Sequence, residues 1–399
     1  MASMFAAETL SSQQKRATTP FCQSGVAATP SSSVTHLALL SATAAFGGAV
    51  GSCMPVPMQS GGVYDHHSDY QLRGAISQLD LIESIAGGLV PDDDGRGGLA
   101  IADYGCAQGR VTNVLIRRAV ERIRVGYPDL PLSVFHNDLL GNDWATFFGH
   151  LRAEDSYLSV PGGPITPLVA AISFYEPVTP RHVVDFGLSF AAAQWLGAPG
   201  PTDGGSAVYF DQLEGAPRQA MAEQAHADWT RFLRLRADEL ARGGRLVINL
   251  MAIPDGGKAA GHDAWGHVSA VCAEMAAEGL IDPGRVEAYV IPIYERTVDE
   301  VCRPFAGALG EELELLKQQI GPVENPYVAA YRKDGDAPAF ARDFTAFFRA
   351  FSEPSLAQGL AAAGATLEEL YRRLESRIRA EADTFDFQVN ALTAAIARR

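Results

Sequence analysis

An α/β fold is the expectation for this chain: a parallel sheet wound with helices on both faces, followed by a mostly helical cap. Three observations predict it. Short buried-strand patterns alternate with helical ones between about residues 95 and 255. One of those strands runs through a glycine-rich turn straight into a helix, the layout of a nucleotide crevice at the carboxyl ends of strands. Beyond residue 255 the apolar residues recur mainly at three- and four-residue intervals, the period of helices.

The first 57 residues are different in kind. They are rich in Ala, Ser and Thr, with Glu8 the only acid and Lys15 and Arg16 the only bases. Such a stretch reads as a disordered extension, either a transit peptide or the product of an over-long start, since Met54 and Met58 precede the first organised segment. The folded domain is therefore expected over residues 58–399. Its sheet core lies mainly within 95–255 and its helical cap within 256–380. The tail 385–397 is a last strand or a helix, and periodicity alone leaves both open.

Taken in order, Leu72, Ile76, Leu79, Ile82, Ile85 and Leu89 predict one helix from Asp69, capped by Ser68 or Asp69 and ended by Gly87-Gly88. Residues 99–105 read as a short buried strand. A helix follows, with Val111, Leu115, Val120 and Ile123 turned inward. A strand at 132–135 and a helix at 143–151 come next, then strands at 169–174, 182–186 and 245–251. The long helix 218–242 should end at Gly243-Gly244, in the usual C-terminal position. Cap helices are expected at 264–277, 298–305, 311–319, 340–351 and 367–380.

The bulk chemistry narrows the function. A formal net charge of −15 argues against a nucleic-acid partner. No stretch reaches the roughly 20 apolar residues that span a bilayer, so no membrane is expected. The five cysteines stand in no CxxC spacing and suggest neither a disulfide framework nor a zinc site. Adjacent His66 and His67 do not share a helical face, so no metal ligand set is expected there.

The most informative block is Ile101-Ala-Asp-Tyr-Gly-Cys-Ala-Gln-Gly109. Gly105 and Gly109 would let the backbone approach a ligand closely. The dinucleotide fingerprint and the P-loop lysine are both missing. Asp103 suits a ligand bearing ammonium and sulfonium charge better than a pyrophosphate. Asp138, ending the second strand, can accept both hydroxyls of a ribose. Together they point to a bound adenosyl group.

With Tyr64-x-x-x-Ser68-x-x-Gln71, the glycine-rich loop, Asn137-Asp-Leu-Leu-Gly-Asn-Asp143, Ser173-Phe174-Tyr175, Trp195-Leu196, Gly243-Gly-Arg-Leu-Val and Ile291-Pro-Ile-Tyr294, the chain resembles the plant-type carboxyl methyltransferases. This is the salicylate, benzoate and jasmonate group called SABATH enzymes, which also holds caffeine-pathway N-methyltransferases. The resemblance runs from about Tyr64 to the C-terminus. It implies a Rossmann-like class I methyltransferase sheet and S-adenosyl-L-methionine as cofactor. By that resemblance Tyr64, Ser68 and Gln71 reach cofactor and substrate, and Asp103 contacts the methionine moiety. Asp138 takes the ribose, Leu139, Ser173 and Phe174 flank adenine, and Trp195 touches the substrate carboxylate. It also implies a homodimer in the cytoplasm, with import into an organelle if residues 1–57 are a transit peptide. Some relatives hold magnesium (Mg2+), but the sequence shows no metal cluster. Two departures stand out. Val111 occupies the place of a family asparagine, followed by Thr112 and Asn113. Gln194 replaces a histidine, and Ala191 a nearby aromatic.

Methyl transfer from a sulfonium to a carboxylate is an in-line displacement on an acceptor that is already an anion at neutral pH. It needs alignment and exclusion of water, not a general base. Gln71 and the Trp195 indole N–H are the candidate grips on the acceptor, with Gln194 a third donor. Ala191, Tyr294 and Phe348 are expected to shape the acceptor pocket; Phe348 belongs to a stripe with Phe344, Phe347 and Phe351 that also reads as packing. The function expected is esterification of a small carboxylic acid. An N-methyltransferase on a heterocycle and a catalytically silent cofactor-binding scaffold remain alternatives.

Overall fold

The structure, a computed structural model, describes residues 55–91, 97–198, 203 and 205–399. The expectations for the N-terminal extension up to residue 54 lie outside the described residues. Three short helices come first: α1 (Val63–His66), α2 (Asp69–Ile76) and α3 (Leu79–Gly87). The single helix expected from Asp69 is thus two, parted at Ser77-Gln78. Ser68 precedes α2 but makes no side-chain cap; its hydroxyl donates to the Asp65 carbonyl at 2.8 Å instead.

The alternation of strand and helix then begins: β1 (Leu99–Tyr104), α4 (Arg110–Gly126), β2 (Leu132–Asp138), α5 (Trp144–Arg152), β3 (Ile165–Ala171), β4 (Val184–Phe190), α6 (Gly215–Glu239) and β5 (Leu240–Ile253). Strands β1 and β4 are buried from end to end, as central parallel strands covered on both faces must be. Helix α4 lays Leu115, Ile116, Ala119, Val120 and Ile123 against them. The remaining elements are α7 (His262–Ala277), α8 (Pro283–Glu287), β6 (Arg296–Thr297), α9 (Val298–Cys302), α10 (Leu309–Glu312), β7 (Leu313–Pro322), α11 (Pro326–Asp334), α12 (Ala337–Leu360), α13 (Ala365–Ala380) and β8 (Asn390–Arg398).

The main sheet runs in the order β3-β2-β1-β4-β5-β8-β7. Strands β1 to β5 pair in parallel, and β8 is antiparallel to both β5 and β7. The strand order turns back on itself between β1 and β4, which opens a crevice at their carboxyl ends. Above it, α12 and α13 pack with α7 around a cluster that includes Trp265, Phe344, Phe348 and Leu374. Each such fully buried large side chain contributes about 1.5–3 kcal/mol relative to exposure.

Two expectations are corrected by long-range pairing. Residues 311–319 are mostly strand, not helix. Their apolar spacing fits either state, and β8, which lies far off in sequence, takes up their backbone groups. Gly243 and Gly244 do not close a helix; α6 ends at Glu239 and passes directly into β5. The pair sits where the β4–β5 register slips, and Gly243 has φ +75°. A Cβ at residue 244 would lie 2.8 Å from the Ala241 carbonyl oxygen and 2.9 Å from that of Val184, so these glycines serve a bulge. The tail is a strand, β8.

Candidate active site

The loop after β1 is fixed by its own backbone. The N–H groups of Gly105 and Cys106 both donate to the Asn137 carbonyl at 2.9 Å. Ala107 takes a positive φ of 45°; its N–H donates to Asp138 Oδ2 at 2.7 Å, and Leu139 N–H donates to Oδ1 at 2.8 Å. Gly105 has φ +89°, and a Cβ there would stand 2.4 Å from the Ala192 Cβ. Glycine is therefore required by packing as well as by conformation.

Two cavities flank this loop. One, of about 670 Å³, is walled by Pro55–Met58, Gly105, Asp138, Leu139, Ser173 and Phe174 among others. The apolar side chains of Leu139 and Phe174, with the Asp138 carboxylate on the same cavity, suit an adenosine. Behind Phe174 the buried Arg236 donates to its carbonyl at 3.0 Å and pairs with Glu239 at 2.9 Å. The other cavity, of about 460 Å³, is lined by Asp103, Arg110, Val111, Thr112, Gln71 and Asn249 among others. Thr112 hydroxyl donates to Asp103, while Asn113 faces away, bonded to Asp155 and Tyr157 backbone. Thr112 therefore holds the motif aspartate.

Burial pushes the Asp103 carboxyl up to about 7, against the opposing Thr112 bond. Burial likewise raises Asp138 to about 6, opposed by the two backbone N–H groups. A ligand ammonium binds only the ionised Asp103. Affinity for such a ligand should then be full above pH 7 and fall as pH drops through it, by about tenfold between about pH 8 and pH 6. Calorimetric titration across that range checks this, and Asp103→Asn should flatten the profile.

A third cavity, of about 780 Å³, lies under the cap. Its walls are largely aromatic: Tyr70, Trp195, Tyr209, Trp265, Phe347, Phe351 and Phe387. Tyr64 and Ala191 line all three cavities and so mark their junction. Ala191 has φ +50°; its N–H donates to the Asn249 carbonyl at 2.8 Å, and its own carbonyl accepts from Gln194 Nε2 at 2.7 Å. Trp195 lies between the 780 and 670 Å³ cavities, and Gln71 between the 780 and 460 Å³ cavities. The Trp195 segment is held from two sides: Tyr175 hydroxyl, from the β3–β4 connection, donates to the Trp195 carbonyl at 2.7 Å, and Tyr294 N–H donates to the Gln194 carbonyl at 2.9 Å. Gln71 meets the Tyr64 hydroxyl and leaves its buried carboxamide oxygen without a partner. A half-turn of that carboxamide would present its NH2 there and let its oxygen accept a hydrogen bond from the Tyr64 hydroxyl.

The segment before α2 is tied down from below. Asp143, which caps α5, accepts from Gly61 and Gly62 N–H at 2.8 and 3.2 Å. Gln108 accepts from Asp65 N–H and donates to the Gln59 carbonyl, and His150 bonds the Asp65 carboxylate. That bond raises His150 against the opposing burial.

Of the residues singled out in the sequence, Tyr64, Gln71, Asp103, Gly105, Asp138, Leu139, Ser173, Phe174, Ala191, Gln194 and Trp195 all line these cavities. Four do not. Ser68 spends its hydroxyl on Asp65. Gly109, with φ +103°, begins α4, where a Cβ would press within 2.9 Å of the Phe147 ring. The Tyr294 hydroxyl donates to Glu300 at 2.9 Å, away from the cavity. Phe348 is buried behind the wall, which its neighbours Phe347 and Phe351 form. Gln194 is also committed differently from expectation: its amide supports Ala191, and its oxygen is buried without a partner. Sequence reasoning missed Asn249, Arg110 and Met58. Arg110 alone carried a usable signal, a cation following the glycine loop.

A family model described as SAM dependent carboxyl methyltransferase matches residues 56–398. The chain belongs to that family. Methyltransferase FUS9 of Gibberella fujikuroi is 29% identical over 254 residues, 62% of this chain and 66% of the relative, so just under two thirds of that relative's length is matched. Salicylate carboxymethyltransferase of Clarkia breweri is 29% identical over 259 residues, 60% of this chain and 67% of its own. In fold, a solved loganic acid methyltransferase with SAH superposes with a TM-score of 0.71 at 19% identity, covering 86% of this chain and 99% of that one. The sheet is thus that of a class I methyltransferase, and S-adenosylmethionine is the methyltransferase's cofactor. Its residues fit that group: an apolar slot beside Asp138 for the nucleoside, and a polar cavity with Asp103 for the amino acid end. Among the described residues no helix is long and apolar enough to cross a membrane, and no group of three or more His, Cys, Asp or Glu could hold a metal ion.

Proposed function

We propose that this methyltransferase esterifies the carboxylate of a small, largely apolar monocarboxylic acid. The observation that carries the reading is the lining of the 780 Å³ cavity: among the described residues it holds no Asp, Glu, His, Lys or Arg. A carboxylate arrives ionised and gives up no proton on methylation. An amine, hydroxyl or xanthine nitrogen must lose one, and no ordinary acid or base stands in this cavity to take it. S-adenosylmethionine supplies the methyl group as an activated sulfonium.

The protein's part is placement. Trp195 and Gln71 flank the junction at Tyr64 and Ala191, where their neutral N–H groups orient an oxygen without clamping its charge as an arginine would. The aromatic walls exclude water and hold the rest of the acid. A second carboxylate would lose its hydration with no partner in return, so dicarboxylic acids should react poorly.

The test is a mass-spectrometric screen with deuteromethyl-labelled cofactor against aromatic, fatty, terpenoid and dicarboxylic acids and xanthines. A labelled ester on an apolar monocarboxylic acid is the expected result. Labelled N-methyl products without any ester would overturn it. Cofactor binding without product across all classes would favour a silent scaffold.

A further inference from the structure

We propose that Arg110 receives the carboxylate of the cofactor's amino acid end. The inference rests on the cofactor assignment above. The methionine portion of S-adenosylmethionine is a zwitterion, so its cavity needs an anion and a cation. Asp103 supplies the first. Arg110 is the cation among the described residues lining the 460 Å³ cavity.

Its surroundings leave it available. Nη1 donates to the Asp65 carbonyl at 2.9 Å and lies 3.5 Å from Ser68 Oγ, and Nη2 pairs with Asp69 at 2.7 Å. The Asp69 side chain is 54% exposed, so solvent screens that pair. A guanidinium has five N–H donors in a rigid fork, and these contacts engage three. The carboxylate of Asp65, the other acid on this wall, already holds His150.

Two nearby residues supply no competing donor there. Val111 offers a hydrocarbon where the resembled family has an asparagine. Ser68, expected on the cofactor, donates its hydroxyl to the Asp65 carbonyl. Arg110 stands between the two, on the first turn of the 17-residue α4, where unpaired N–H groups and the helix dipole add to its attraction for an anion.

The experiment is a calorimetric cycle with two ligands, S-adenosylhomocysteine and its analogue S-adenosyl-3-thiopropylamine, which lacks only the carboxylate. The unmodified protein should prefer S-adenosylhomocysteine by about tenfold or more. Arg110→Gln should erase that preference by weakening S-adenosylhomocysteine alone, and Arg110→Lys should restore part of it. If Arg110→Gln does not fold, Arg110→Lys carries the test, with a reduced preference expected. An Arg110→Gln protein that keeps the preference would overturn the proposal. So would equal weakening of both ligands, which would make Arg110 only a pin for residues 65–69. Failure of the unmodified protein to bind either ligand would instead sink the cofactor assignment itself.

Discussion

Gly105→Ala should destabilise the fold by about 2–5 kcal/mol and remove measurable cofactor binding. Two costs combine. The backbone at φ +89° carries a penalty of about 1–2 kcal/mol for any residue with a Cβ. The new methyl would also stand 2.4 Å from the Ala192 Cβ, and neither group has rotatable bonds by which to retreat. The backbone of one segment must move, and both segments matter. One carries the loop that meets Asp138; the other carries Ala191 and Trp195. Urea unfolding measures the stability and calorimetry the binding. An unchanged denaturation midpoint would show that the close approach does not constrain the site.

Trp195→Phe should lower kcat/KM for the acid about a hundredfold while leaving cofactor affinity unchanged. Phenylalanine keeps an aromatic wall toward both cavities, so the nucleoside slot loses little. What disappears is the indole N–H, and with it one of the two groups proposed to aim the acceptor oxygen. Misalignment by about 1 Å is enough for a loss of this size. The loss should appear in kcat, because the acid still enters through its apolar body. Activity close to that of the unmodified protein would remove the carboxylate grip from the account and favour a nitrogen acceptor.

The parts of the site legible in the sequence are those whose chemistry is local. Asp103, Gly105 and Asp138 stand at strand ends beside turn residues, so their direction follows from the strand itself. Phe174 and Trp195 are expected from the family resemblance alone, not from local chemistry. Where a side chain points from a helix or an irregular segment is another matter. Phe347 and Phe348 differ by about 100° around one helix, and the helical period could not say which faced the cavity. Tyr294 looked equally suited, but its hydroxyl found Glu300, a partner formed only once the chain turns into α9. Asn249 sits in the interior of β5, and its side chain donates to Thr393 of β8 at 2.9 Å. Its place in the site exists only through a strand pairing more than a hundred residues away. The edge strand β7 was unreadable for the same reason.

The shared wall at Met58 has a kinetic consequence. This residue lines both the 670 Å³ cavity and the 780 Å³ cavity, and Pro55–Pro57 before it wall the first of them. Ligands in the two cavities therefore rest against one side chain, which offers the same surface whether or not the cofactor still carries a methyl group. On the proposed reading, the expected consequence is a dead-end pairing of demethylated cofactor with fresh acid, and product inhibition that deepens as the acid becomes plentiful.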